Sequence, residues 1–141
     1  MADLIAAVER ARNAWNNGNL AGYLSLYDDS IRLHGYSPEP MDKPAVKAFY
    51  EAVTSALGEG KAGPPRLVFH EILTDKNLYS CRFTMSGTHR GPFMGVPATG
   101  KPYQLDGITI LRFSGERVVE RWSCADMLGL MIQIGAIPPP G

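Results

Sequence analysis

Three histidines, two cysteines and one glycine-flanked lysine are the residues of this 141-residue chain whose types most readily carry chemistry. His34, His70 and His89 share no spacing with one another or with Cys81 and Cys124 that would assemble a metal site, so no metal centre is expected. Gly95-Val96-Pro97-Ala98-Thr99-Gly100-Lys101 approaches a phosphate-binding loop. It fails because Pro102 stands where a Ser or Thr hydroxyl must hold magnesium, and because the segment links two strand-like stretches rather than opening a helix. No His-Glu-x-x-His, Gly-x-Ser-x-Gly or Gly-x-Gly-x-x-Gly occurs, which removes zinc proteases, nucleophile-elbow hydrolases and dinucleotide folds. Histidine remains the side chain best suited to proton transfer near neutral pH, since its unperturbed pKa is about 6.5.

The elements that must position such groups belong to one domain spanning residues 1–141. With 45% apolar and 20% charged residues, the chain can close a single core and is too short for two. Fourteen Lys and Arg balance fourteen Asp and Glu. No global field therefore favours nucleic acid or a membrane surface as partner. The most apolar stretch, residues 127–137, is broken by Gln133 and two glycines and falls short of the roughly 20 residues of a spanning helix. The N-terminus lacks a basic region before an apolar run, so no secretion signal is read and a cytoplasmic location is expected. Cys81 and Cys124 are accordingly expected to be buried free thiols.

Leu4, Ile5, Val8, Ala11 and Trp15 recur at helical spacing and predict a helix ending at Asn17-Gly18. Asn19 is placed to cap a short second helix with Leu20, Tyr23, Leu24 and Tyr27 on it. Asp42 is placed to cap a third, with Pro44 in its first turn, Val46, Phe49, Tyr50, Val53 and Leu57 on one side, and Gly58 as its stop. Residues 31–36 read as a brief strand. From Arg66 the period changes to two, giving strands over 67–73, 78–89, 103–113 and 117–124 joined partly by hairpin turns. Helices first and a meander afterwards is an α+β pattern, with helices collected on one face of a curved antiparallel sheet. Residues 126–134 form a last short element suited to closing a cavity mouth or joining a subunit contact.

The stretch Gly87-Thr88-His89-Arg90-Gly91-Pro92-Phe93-Met94-Gly95-Val96-Pro97-Ala98-Thr99-Gly100-Lys101, with Asp106-Gly107-Ile108, Phe113, residues 118–122 and Asp126-Met127-Leu128-Gly129-Leu130, resembles the SnoaL-like polyketide cyclase family. That family belongs to the nuclear transport factor 2-like superfamily, with ketosteroid isomerase and limonene epoxide hydrolase. The resemblance covers essentially the whole chain. It implies a cone-shaped α+β barrel, three N-terminal helices packed on a curved antiparallel sheet with a short C-terminal helix, and a homodimer formed through the outer sheet face. It further implies an apolar pocket for a small lipophilic molecule, and no metal or organic cofactor. Cyclase members carry out an intramolecular aldol condensation in which a carboxylate removes a proton beside a carbonyl.

Carried over by position, the cyclase and hydrolase carboxylate falls on Ser123, which cannot act as a base near neutral pH without a partner. The companion position on the preceding strand falls on Thr109, a weak hydrogen-bond donor. The isomerase base position aligns with His34. These positions give His34 as base, or else a histidine satisfied by Tyr36 or a backbone carbonyl, Thr109 as an oxyanion stabiliser and Ser123 as the group that orients substrate or water; Arg121, turned inward by strand alternation, either joins Thr109 at the oxyanion or pairs with an internal acid and supports the fold. If Thr109 and Ser123 face inward, strand alternation also turns Gly107, Leu111 and Arg121 inward and Ile108, Ile110, Glu120 and Trp122 outward. Tyr36, Phe49, Tyr50, Phe83, Met85, Phe93, Met94 and Leu111 are expected to touch substrate, the competing reading being that each is simply core. Residues 91–100 read as a lid or dimer contact, and His89 beside them as core or surface. Two functions stay open: a cofactor-free enzyme promoting enolisation, isomerisation or cyclisation of a lipophilic carbonyl compound, and a non-catalytic small-molecule-binding module of the same fold.

Overall fold

A computed structural model of the chain describes residues 3–60 and 63–140. Its first helix, α1 (Leu4–Asn16), begins where the Asp3 carboxylate accepts a hydrogen bond from the Ala6 N–H at 3.0 Å. The helix buries Leu4, Ala7, Val8, Ala11 and Trp15. Ile5 is 44% exposed, contrary to the expected stripe, because it lies about 100° round the helix from Leu4 and Ala7 fills the next core-facing position. Helix α2 (Leu20–Leu24) is capped by Asn19 and stops short of Tyr27, which opens strand β1 (Tyr27–His34) instead. The Val118 N–H donates to the Leu26 carbonyl at 2.8 Å, so sheet pairing captures the chain before the helix can continue. Helix α3 (Lys43–Ala56) carries the expected Asp42 cap and a proline in its first turn.

The remaining strands, β2 (Arg66–Asp75), β3 (Leu78–Thr88), β4 (Pro102–Ser114) and β5 (Arg117–Ala125), pair antiparallel in chain order. Strand β1 then joins the far edge of β5 in parallel, giving the order β1-β5-β4-β3-β2. The sheet is therefore not wholly antiparallel, and it is curved but unclosed, the open form of the expected cone. Burial alternates strictly along β4, with Tyr103, Leu105, Gly107, Thr109, Leu111 and Phe113 inward. A side chain at Gly107 would meet the Phe83 ring at 2.5 Å, so the missing Cβ leaves the space that the ring occupies.

Helix α4 (Met127–Gln133) is capped by Asp126 and buries Leu130, with Ile134 buried just beyond it. Its Gln133 amide satisfies both backbone groups of Gln104, at 2.7 and 2.9 Å, which fixes the helix against the start of β4. Cys81 is buried as expected, whereas Cys124 is exposed, since alternation along β5 puts it on the outer face next to inward Ser123. No helix among the described residues is long and apolar enough to cross a membrane.

Candidate active site

Between the inner sheet face and helices α1, α2 and α3 lies a partly open pocket with a cavity volume of about 60 Å³. Its floor is Tyr79, Cys81, Phe83 and Met85 from β3, Leu105, Thr109 and Leu111 from β4, and Arg121 from β5. Trp15, Tyr23 and Tyr50 roof it and meet edge to face, with ring centroids 4.8 to 5.5 Å apart. Such packing holds the hydroxyls of the tyrosines in fixed places.

Arg121 is 7% exposed and lies at the centre of the polar part. Its Nε donates to Thr109 Oγ1 at 2.9 Å, and its Nη1 donates to the hydroxyls of Tyr50 (2.5 Å), Tyr27 (2.8 Å) and Tyr23 (3.3 Å). Nη2, with two N–H groups, has one contact, to Ser123 Oγ at 3.5 Å, the outer limit of a hydrogen bond. Among the described residues no carboxylate lies within ion-pair distance of this guanidinium. Burial pushes the Tyr50 phenol up to about 12, and raises Tyr23 and Tyr36 as well, so all three are neutral at ordinary pH. The result is a buried cation solvated by neutral oxygens, with its free N–H edge beside Ser123.

Ser123 is 7% exposed and shares a 2.8 Å hydrogen bond with the Tyr36 hydroxyl. Thr109 is inward as expected, but its hydroxyl donates to the Trp122 carbonyl at 2.9 Å while accepting from Arg121. Its single proton is committed, so Thr109 orients the guanidinium and has no donor left for an oxyanion. Tyr36, Phe49, Tyr50, Phe83, Met85, Phe93 and Leu111 all line the pocket. Met94 does not: it is 61% exposed at the tip of a two-residue turn in which Met94 and Gly95 both have positive φ and Phe93 bridges Val96. That turn drives Phe93 inward and Met94 outward.

His34 is also outside. On β1 the inward residues are Tyr27, Ile31 and Leu33, and the next position faces away from the helices. Its Nε2 lies 2.8 Å from Glu120, and its ring stacks on Trp122 at 5.5 Å, both on the outer face. A base for pocket chemistry cannot act from there. His34→Ala is expected to shift stability by less than about 1 kcal/mol, as for other partly exposed polar pairs, and to leave pocket binding unchanged. Calorimetric titration of a pocket ligand checks this, and a loss of binding would mean that the imidazole reaches the pocket. His89 is fully buried, with Nδ1 2.9 Å from Thr99 Oγ1 at the base of the 91–100 loop, and is absent from the pocket wall.

The pocket wall thus contains Arg121 and Tyr36, which were expected, with Ser123 touching both although it is not itself on the wall, and Tyr23 and Tyr27, which sequence reasoning favoured as core. An arginine on an inward strand position needs acceptors, and the early tyrosines were the groups able to supply them. Among the described residues no three His, Cys, Asp or Glu side chains gather as metal ligands.

The model of the SnoaL-like polyketide cyclases matches residues 5–134. The chain belongs to that family. Among solved structures, AclR of Streptomyces galilaeus, provisionally a hydroxylase, is 25% identical over 95% of this chain and 96% of its own, with a TM-score of 0.82. TsrD of Streptomyces laurentii is 22% identical over 94% and 95%, with a TM-score of 0.80. A SnoaL-like polyketide cyclase of Agrobacterium tumefaciens is 16% identical over 96% and 100%, with a TM-score of 0.76. The latter two likenesses show a shared fold. No curated protein matches the sequence.

Proposed function

We propose that this SnoaL-like protein is a cofactor-free enzyme that binds a lipophilic carbonyl compound as its enolate and promotes its isomerisation or aldol-type cyclisation. The observation that carries the reading is the Arg121 guanidinium, buried, without a carboxylate partner, and with its Nη2 edge loosely held. An isolated buried cation costs several kcal/mol, and an anionic ligand oxygen offsets that cost. The neutral phenols leave the positive charge uncompensated for the ligand, where a carboxylate would have cancelled it.

Among the described residues the pocket wall contains no carboxylate and no imidazole. The reading therefore requires a carbon acid that loses its proton to solvent, such as a 1,3-dicarbonyl, with Arg121 holding the enolate. In a cyclisation the enolate carbon bonds to a second carbonyl carbon, whose oxygen takes the Tyr36 proton, and solvent reprotonates the phenolate. The same missing base favours a second reading, a binding module that holds the enolate without turnover.

Two measurements on cyclic 1,3-diketones separate them. Enolate absorbance at pH values where the free diketone is neutral reads binding on Arg121, and deuterium incorporation faster than in buffer reads catalysis. Enolate without accelerated exchange leaves the binding module, and neither signal refutes both.

We also assign the outer sheet face to a homodimer contact, since Ile108 and Ile110 are 57% and 42% exposed there beside Trp122. Sedimentation is expected to give a dimer at micromolar concentration and a monomer for Ile110→Lys. A monomeric native protein would refute the assignment.

A further inference from the structure

Tyr79 lines the pocket and is 1% exposed, yet its hydroxyl has no hydrogen-bond partner. The Cys81 thiol beside it offers only a weak sulfur contact, and the charged groups that act on it from α1, Glu9 and Arg12, are engaged with each other at 2.6 Å. Buried hydroxyls are almost always paired, because an unpaired one forfeits its hydration for nothing. A phenylalanine would fill the same space without that cost. The hydroxyl thus has no nitrogen or oxygen partner, on a side of the pocket where Arg12 of α1 also reaches the wall.

Tyr79, Leu111 and Arg121 are directly opposite one another in one row across β3, β4 and β5, all inward. Strand spacing puts the backbones of Tyr79 and Arg121 about 10 Å apart. The pocket therefore has two polar points facing one cavity from two strands apart.

We propose that Tyr79 is a specificity-determining residue, which hydrogen-bonds a second oxygen function, a hydroxyl or carbonyl, on the far side of a ligand whose anionic oxygen sits on Arg121. The ligand class is then a compact, ring-sized compound with oxygens at opposite ends rather than a simple monoketone. This rests on the reading of Arg121 as the anion-holding group, and the test separates the two.

The probes are benzoate, 3- and 4-hydroxybenzoate, 2-naphthoate and 6-hydroxy-2-naphthoate, which offer one carboxylate and a hydroxyl at several distances from it. Each is titrated calorimetrically into the native, Tyr79→Phe and Arg121→Met proteins. At least one hydroxylated member is expected to bind the native protein about tenfold tighter than its parent, the size of one net hydrogen bond. Tyr79→Phe erases that preference and leaves the parent's affinity within about twofold. The ligand-free Tyr79→Phe protein is expected to melt at the native temperature or a few degrees above it, roughly 2–4 °C, since an orphaned polar group is removed.

Parent binding that needs Arg121 but shows no hydroxyl preference, or a preference that survives Tyr79→Phe, overturns the Tyr79 assignment alone. A melting temperature several degrees lower in Tyr79→Phe also overturns it, because the hydroxyl would already be satisfied within the protein. A Tyr79-dependent preference with parent binding indifferent to Arg121→Met overturns the Arg121 reading and upholds Tyr79. No binding of any probe overturns both.

Discussion

Arg121→Met is expected to weaken binding of anionic pocket ligands about a hundredfold or more while leaving the empty protein as stable as the native one or more so. Removing one partner of a buried charged contact costs roughly 2–5 kcal/mol of binding, which sets the size of the loss. The stability half follows from the unpaired charge. Five donor contacts tie Arg121 to Thr109, Tyr23, Tyr27, Tyr50 and Ser123, but every acceptor is a neutral hydroxyl, so no Coulombic attraction repays the desolvation of the guanidinium. Methionine is comparably long and apolar, and Tyr23 and Tyr27 keep their mutual 2.7 Å hydrogen bond without the arginine. Buried ionic groups replaced in this way commonly prove neutral or stabilising by about 1–4 kcal/mol. Thermal unfolding paired with benzoate calorimetry checks both halves on one variant. A melting temperature about 10 °C or more below native would show that the arginine and its phenols are a net structural asset, and the pocket would lose its claim to hold a cation for a ligand.

How far the sequence could be read depends on which contacts are local. The caps at Asp3, Asn19, Asp42 and Asp126 lie three residues from the N–H groups they accept, so residue type and spacing suffice to place them. Strand β4 alternates without interruption, so taking Thr109 as inward fixed its whole face, and taking Ser123 as inward fixed Arg121 two residues before it on the adjacent strand. Strand β1 is different. Its pairing with β5 shifts register between Tyr27 and Arg32, and its parallel partner is distant in sequence, so family position suggested His34 as an inward residue. The alternation Ile31, Leu33 already argued otherwise: two apolar residues two apart put the next residue, His34, on the opposite face. The tyrosine cluster was not legible at all. Tyr23 and Tyr27 are four apart and read as one helical face, whereas they come from a helix and a strand and meet across 98 and 94 residues on the arginine.

Gly35→Ala is expected to be the most damaging small substitution in the chain, costing about 3 kcal/mol or more and lowering the melting temperature by roughly 6 °C or more. Gly35 follows β1 directly and has φ of +122°, a conformation essentially reserved for glycine. A Cβ there would collide with the backbone carbonyl oxygen of Ser123, which no rotamer change can move aside. Relief requires β1 and β5 to separate where His34 faces Trp122, or Tyr36 to leave the Ser123 hydroxyl it holds at 2.8 Å. Either movement disturbs the loosely held edge of Arg121, so pocket binding should fall along with stability. Gly18→Ala is the matched control: its φ of +78° is also unfavourable for alanine, but nothing lies within 4 Å of the added carbon. Conformational strain alone should then cost it only about 1 kcal/mol. Denaturant unfolding of the two variants side by side separates strain from collision. Equal losses would mean that the carbonyl of Ser123 yields freely, and that the β1–β5 seam does not hold Tyr36 and Ser123 in place for the pocket.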